Sequence, residues 1–82
     1  MIRSEVAARM LCIMRAVFDK EDLLYDDTLA VGKIEAWDSL GHIRVLRAME
    51  KEFGMRFTSG EVDAVKNAGE MLEIVMQRRA GQ

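Results

Sequence analysis

The sequence predicts an all-α protein, a small four-helix bundle with a long first loop and a short third helix. Three observations carry that expectation. There is no proline among the 82 residues. Apolar residues recur at three- and four-residue spacing through most of the chain, the period of a helix with one buried face. No segment alternates apolar and polar residues with the two-residue period of a strand.

The elements follow in order. Helix one is predicted from about Ser4, a residue type suited to an N-cap, to Phe18. Val6, Met10, Ile13, Met14 and Val17 fall on one of its faces. From Asp19 to Trp37 no period is sustained, and Asp26, Asp27 and Gly32 stand among isolated apolar residues. This stretch reads as a long ordered loop pinned to the core by Leu23, Leu24, Leu29, Val31 and Ile34; loops of such length are uncommon and often functional. Helix two is predicted from Ser39 to about Phe53, with Asp38 as N-cap and Gly54 as the stop. Thr58 and Glu61 have the spacing of a capping box and open the short third helix. Asn67 and Glu70 repeat that spacing and open helix four, whose end places Arg78 and Arg79 favourably against its dipole. The tip, Ala80 to Gln82, reads as frayed.

Size and composition exclude several classes. The length fits one domain, residues 1–82, with a modest core and little room for a catalytic cleft with walls. Half the residues are apolar and 32% are charged, as in a soluble globular domain, and no apolar run is long enough to span a bilayer. Met1-Ile2-Arg3-Ser4-Glu5 lacks the features of a secretory signal, and a single cysteine, Cys12, cannot close an internal disulfide. Both point to the cytoplasm, and the chain is expected to be a monomer that engages neither membrane nor nucleic acid. Twelve basic against fourteen acidic residues, net charge −2, is no nucleic-acid footprint. The acidic stretch Asp19, Glu21, Asp22, Asp26, Asp27 lacks the alternating ligands, central glycine and closing glutamate of a helix–loop–helix calcium site. With one histidine and one cysteine, no zinc spacing exists, and no metal is expected.

Trp37-Asp38-Ser39-Leu40, followed by Ile43, Val45, Leu46, Met49 and the run Glu50 to Phe53, resembles the acyl carrier protein family. Three residues, Asp-Ser-Leu, recur by chance; a long loop before them and an amphipathic helix after them make the likeness specific. It runs without gaps from Asp38 to about Val75 and is one of pattern only before Asp38. The resemblance implies a bundle of acyl-carrier type in which Ser39 accepts a 4′-phosphopantetheine arm from coenzyme A through a separate phosphopantetheinyl transferase. Acyl groups would ride on the arm as thioesters, loaded and removed by other enzymes, and the carrier itself would catalyse nothing. The physics is compatible: a serine in the first turn of a helix holds an attached phosphate near unpaired N–H groups and the positive end of the dipole. Asp38 can both cap the helix and present a carboxylate to the transferase. The plainer alternative is that Asp38-Ser39 only starts a helix.

At 100° per residue, Val45, Leu46, Met49 and Phe53 share the core side of helix two. Leu40 lies opposite among Arg44, Arg47 and Lys51, with Ile43 at the margin, which makes Leu40, Ile43, Arg44 and Arg47 the candidate partner-binding residues. Isolated surface leucines are ordinary, and solvated surface charge is nearly as good an account of the basic residues. Carriers of fatty-acid type show an acidic second helix, so Arg44, Arg47 and Lys51, with Glu50 and Glu52 still acidic, imply partners of different electrostatics. Gly41 stands where the family often has an acid. His42 is expected to be packed and hydrogen-bonded, with contact to phosphate or cargo as the lesser reading, and Trp37 to pack the loop end onto the bundle. Met10, Met14, Met49, Met55, Met71 and Met76 suit core filling and equally a core that opens slightly. Cys12 faces away from the core beside Arg9 and Ala16, a surface thiol.

Asp38, Ser39 and His42 do not form a hydrolase triad, because neighbours on one helical turn cannot align as nucleophile, base and orienter. The rival from another class is an unmodified helical adaptor that uses the Leu40 face to hold a partner helix. Among carriers, a peptidyl or aminoacyl cargo is the alternative. The Trp-Asp-Ser-Leu-Gly-His form is closer to free-standing carriers of specialised pathways, such as polyketide or lipid and saccharide modification.

Overall fold

A computed structural model describes residues 2–80, and side chains as far as residue 78. It contains four helices, α1 (Arg3–Phe18), α2 (Ser39–Phe53), α3 (Ser59–Ala64) and α4 (Ala68–Ala80), and no strand among the described residues. The expected all-α bundle with a long first loop and a short third helix is what forms. α1 packs against both α2 and α4. Val6, Met10 and Met14 from α1, Val45, Leu46 and Met49 from α2, and Met71, Leu72 and Val75 from α4 build a core closed to solvent. Four of the six methionines singled out lie fully inside it, Met55 is nearly so and Met76 half-buried, so gap filling is their visible role.

Helix boundaries follow their capping chemistry with one correction. α1 starts a residue earlier than expected: Ile2 is the N-cap, without a side-chain hydrogen bond, and Ser4 sits inside the first turn. Asp38 caps α2 as predicted, and Gly54 ends it in the left-handed region at φ 62°, where a side chain would be strained. The capping box of α3 is complete: Glu61 N–H donates to Thr58 Oγ1 at 3.1 Å and Thr58 N–H to Glu61 Oε1 at 2.8 Å. At α4, Glu70 N–H donates to Asn67 Oδ1 at 2.8 Å, but the Glu70 carboxylate reaches one residue further back, to Lys66 N–H. Arg78 turns to Glu61 and the Arg56 carbonyl, tying α4 to α3. Ala80 is still helical; the Arg79 side chain and the expected fraying at Gly81 and Gln82 lie outside the described residues.

The loop from 19 to 38 is held mainly by its backbone. Two N–H groups at the start of α4, which have no acceptor within their own helix, find carbonyls in this loop: Ala68 N–H donates to Leu29 at 2.7 Å and Gly69 N–H to Asp27 at 3.0 Å. Of the five expected apolar pins, Leu23 is buried and Leu29 and Ile34 pack partly against the core. Leu24 and Val31 are corrections, 75% and 41% exposed. The backbone bonds fix the loop, so those two positions need not be buried. Arg3 reaches from α1 to Asp27 at 3.1 Å, and Tyr25 donates to the same carboxylate. Those two hydrogen bonds, from Tyr25 first and then Arg3, hold the Asp27 carboxyl below its ordinary pKa.

Candidate functional site

Trp37, Asp38, Ser39, Leu40, Gly41, His42 and Ile43 gather at the N-terminal end of α2, while Arg44, Arg47 and Lys51 extend along its outer face toward the other end. Asp38 Oδ1 accepts from Gly41 N–H at 2.9 Å, and the helical ladder begins with His42 N–H on the Asp38 carbonyl, also at 2.9 Å. Ser39 is the first helical residue, and its side chain is exposed. The N–H groups of Ser39 and Leu40 precede the ladder, so a phosphate on this hydroxyl would meet free donors and the positive dipole end. Asp38 is exposed too, so its capping role leaves it open to solvent.

Beneath the serine lies a clasp. Trp37, with no exposed surface, stacks on Phe18 at a centroid distance of 5.2 Å and on His42 at 6.2 Å. Its indole Nε1–H donates to His42 Nδ1 at 3.1 Å, while His42 Nε2 lies 3.2 Å from the Val62 carbonyl. An indole only donates and a carbonyl only accepts, so this arrangement calls for the neutral imidazole with its proton on Nε2. The histidine therefore joins the loop end to α3 across α2, the packed and hydrogen-bonded role expected of it. Trp37 does what was anticipated, packing the loop end onto the bundle.

Gly41 has a steric reason that the sequence did not show. A Cβ built there would stand 2.1 Å from the Ala36 carbonyl oxygen. The loop backbone crosses α2 closely at this point, so any side chain would push the Trp37 segment away from the serine.

A groove of about 320 Å³ opens beside Ser39 between α2 and α3. His42 and the apolar side chains of Val31, Ile43, Val62 and Val65 line it, together with the charged Asp63 and Lys66. Leu40 and Ile43 are 65% and 46% exposed, so the serine sits between a recess and an apolar lip.

No family model matches the chain, and no curated protein matches it. Among solved structures, it is similar to the holo acyl carrier protein of Geobacter metallireducens, determined by solution NMR. The two share 28% identity and superpose with a TM-score of 0.84, over 92% of this chain and 86% of that one. The fold is that of an acyl carrier protein. The likeness drawn from the residues after Trp37 therefore extends through α1 and the long loop, where the sequence offered pattern alone.

Within this carrier fold, the structural role of one α2 residue, away from Ser39, escaped the sequence reading. Glu50, grouped with the surface acids of helix two, is only 8% exposed. Its Oε2 accepts from Phe57 N–H at 2.8 Å and its Oε1 from Arg47 at 3.0 Å. Burial alone would push its pKa up, but the backbone N–H and the guanidinium outweigh burial and hold the carboxyl below its ordinary value. The signal available was Arg47 three residues earlier and the break at Gly54; neither revealed that the chain returns over α2. Glu52, the other acid, points to α1, where Arg9 meets it at 3.2 Å. Cys12 is exposed, and no cluster of metal-ligating side chains occurs among the described residues. Among the described residues, no helix is long and apolar enough to cross a membrane.

Proposed function

We propose that this single domain carries acyl groups as thioesters on a 4′-phosphopantetheine arm attached to Ser39, and presents them to separate enzymes while catalysing nothing itself. The observation that carries the proposal is the exposed Ser39 side chain in the first turn of a capped helix, at the lip of a groove lined largely by apolar side chains. The similar solved structure is a holo carrier, which supports the same arm here.

The residues present fit the group. The hydroxyl is open to a transferase, the adjoining N–H groups suit a phosphodiester, and Asp38 fixes the turn that presents them. Once attached, the arm supplies a terminal thiol to which acyl groups are esterified. The chain's own residues position and shelter: the Trp37–His42–Val62 clasp keeps the first turn rigid, while Val31, Ile43 and Val62 offer apolar surface to a short cargo. Ser39 needs no activating base of its own, because the transferase brings that chemistry. Working with coenzyme A and the enzymes that use it, the protein belongs in the cytoplasm. The Trp-Asp-Ser-Leu-Gly-His form supports a specialised pathway of polyketide or lipid and saccharide type.

The test is intact mass after incubation with coenzyme A and a broad-specificity phosphopantetheinyl transferase. One arm is expected on the wild type and none on Ser39→Ala. A wild type of unchanged mass would replace the carrier with an unmodified adaptor.

A further inference from the structure

The ion pairs of this protein are unevenly distributed. Arg3 meets Asp27 at 3.1 Å, Arg9 meets Glu52 at 3.2 Å, Lys20 meets Asp22 at 3.7 Å, and Arg78 meets Glu61. These cations lie on α1, the loop after it, and α4. Among the described residues, Arg15, Lys33 and Lys66 make no ion pair but lie on three separate segments; on the outer face of α2, by contrast, cations gather. Leu40, Arg44, Arg47 and Lys51 follow each other at intervals of four, three and four residues, which at 100° per residue puts them in one column. The column starts beside Ser39 and runs for about 16 Å along the helix at 1.5 Å per residue. All four side chains are exposed, and Arg56 follows just beyond the helix end. Among the described residues, Arg44, Lys51 and Arg56 make no ion pair. Arg47 has only Glu50, a buried carboxylate already shared with Phe57 N–H. Glu52, the one exposed acid near the helix end, is turned away to Arg9.

We propose that this column is the docking face for enzymes whose surface around the arm-entry channel is acidic, with an apolar socket for Leu40 and Ile43. Unpaired cations beside exposed apolar side chains, in a chain of net charge −2, attract a local anionic surface while the whole molecule is repelled by extended polyanions. An acidic partner with an apolar recess satisfies both the charge and the leucine. It would also bring its channel to the attachment serine, because the column begins one residue away. The inference rests on the carrier reading and adds the sign of the partner's charge.

The test uses protein first modified at Ser39, its mass confirmed, and two purified acyl-loading enzymes chosen for an acidic and a basic rim at the channel. Loading kcat/KM is measured for the wild type, Arg44→Glu, Arg44→Gln and the control Lys20→Glu, which matches the charge change of Arg44→Glu on the loop after α1. With the acidic-rimmed enzyme, Arg44→Glu should lose about tenfold at low salt and Arg44→Gln less. Lys20→Glu should lose under twofold, and the differences should vanish near 0.5 M salt, where screening is strong. The basic-rimmed enzyme should gain from Arg44→Glu. Equal sensitivity to Arg44→Glu and Lys20→Glu, or loading that rises with salt, overturns the docking face. So does retention of the wild type on phosphatidylglycerol vesicles, which would assign the column to a lipid surface. Failure of Ser39 to take the arm removes the carrier reading and this one with it; normal modification with the wrong charge response removes only this one.

Discussion

At its N-terminal end α2 is tied to the preceding loop by Trp37, His42 and Gly41, all beneath the surface. At its C-terminal end it is tied to the following turn by Glu50, a carboxylate that holds Phe57 N–H and Arg47. Both ends are firmly placed, but beneath the Asp38 cap the first is held by aromatic stacking and neutral hydrogen bonds of Trp37 and His42, and the second by charge. Rigidity at the N-terminal end comes from below, so Ser39, Leu40 and Ile43 are left to solvent and free to meet other molecules. At the C-terminal end the helix's own charged side chains are partly consumed in holding the chain together. Apart from Asp38, which caps the helix, the exposed groups of the N-terminal end are not needed by the fold.

The largest effect expected from this contrast is at Trp37. Trp37→Ala should cost about 3–5 kcal/mol, since it removes a fully buried ring and strands His42 Nδ1 without its donor. Urea unfolding followed by circular dichroism measures it, and a cost below about 1 kcal/mol would break the claim that the N-terminal end is held from beneath.

Glu50→Gln should cost less, about 1–3 kcal/mol at neutral pH, the range for a lost charge-assisted hydrogen bond. The loss should also depend on pH. The folded Glu50 carboxyl titrates below its ordinary value of 4.5, so its contribution is complete above that value and disappears as pH falls through the lower, folded one. Wild type and Glu50→Gln should therefore converge in stability on acidification below pH 4.5. Parallel pH profiles would mean that the C-terminal staple owes nothing to charge. Leu40→Ala should change stability least, within about 0.5 kcal/mol, as fits a side chain the fold does not use. A larger loss in the same unfolding assay would show that the outer face carries structural weight.

Elements with local causes were legible in the sequence. Asp38, Thr58 and Gly54 act on backbone groups a few residues away, so their roles could be read from spacing. Ser4 shows where this weakens: a serine at a plausible position did not cap, and the N-cap is Ile2, two residues earlier. The isolated apolar residues of the loop were harder. Leu23 and Leu24 are neighbours of the same kind, yet one is buried and the other exposed, and no period tells them apart. Glu50 was misjudged and the steric need for Gly41 went unseen for the same reason, because their partners, Phe57 and Ala36, meet α2 only through the tertiary fold.

The amino-acid order alone determined the helices, the caps of α2 and α3 and the serine at the start of α2, because those depend on periodicity and on hydrogen bonds that close within one turn. The depth of Trp37 and His42, the close crossing that requires a glycine at 41, and the groove beside Ser39 were decided by tertiary packing. They arise where separate segments meet, and the distance between segments far apart in the chain is set by the whole core.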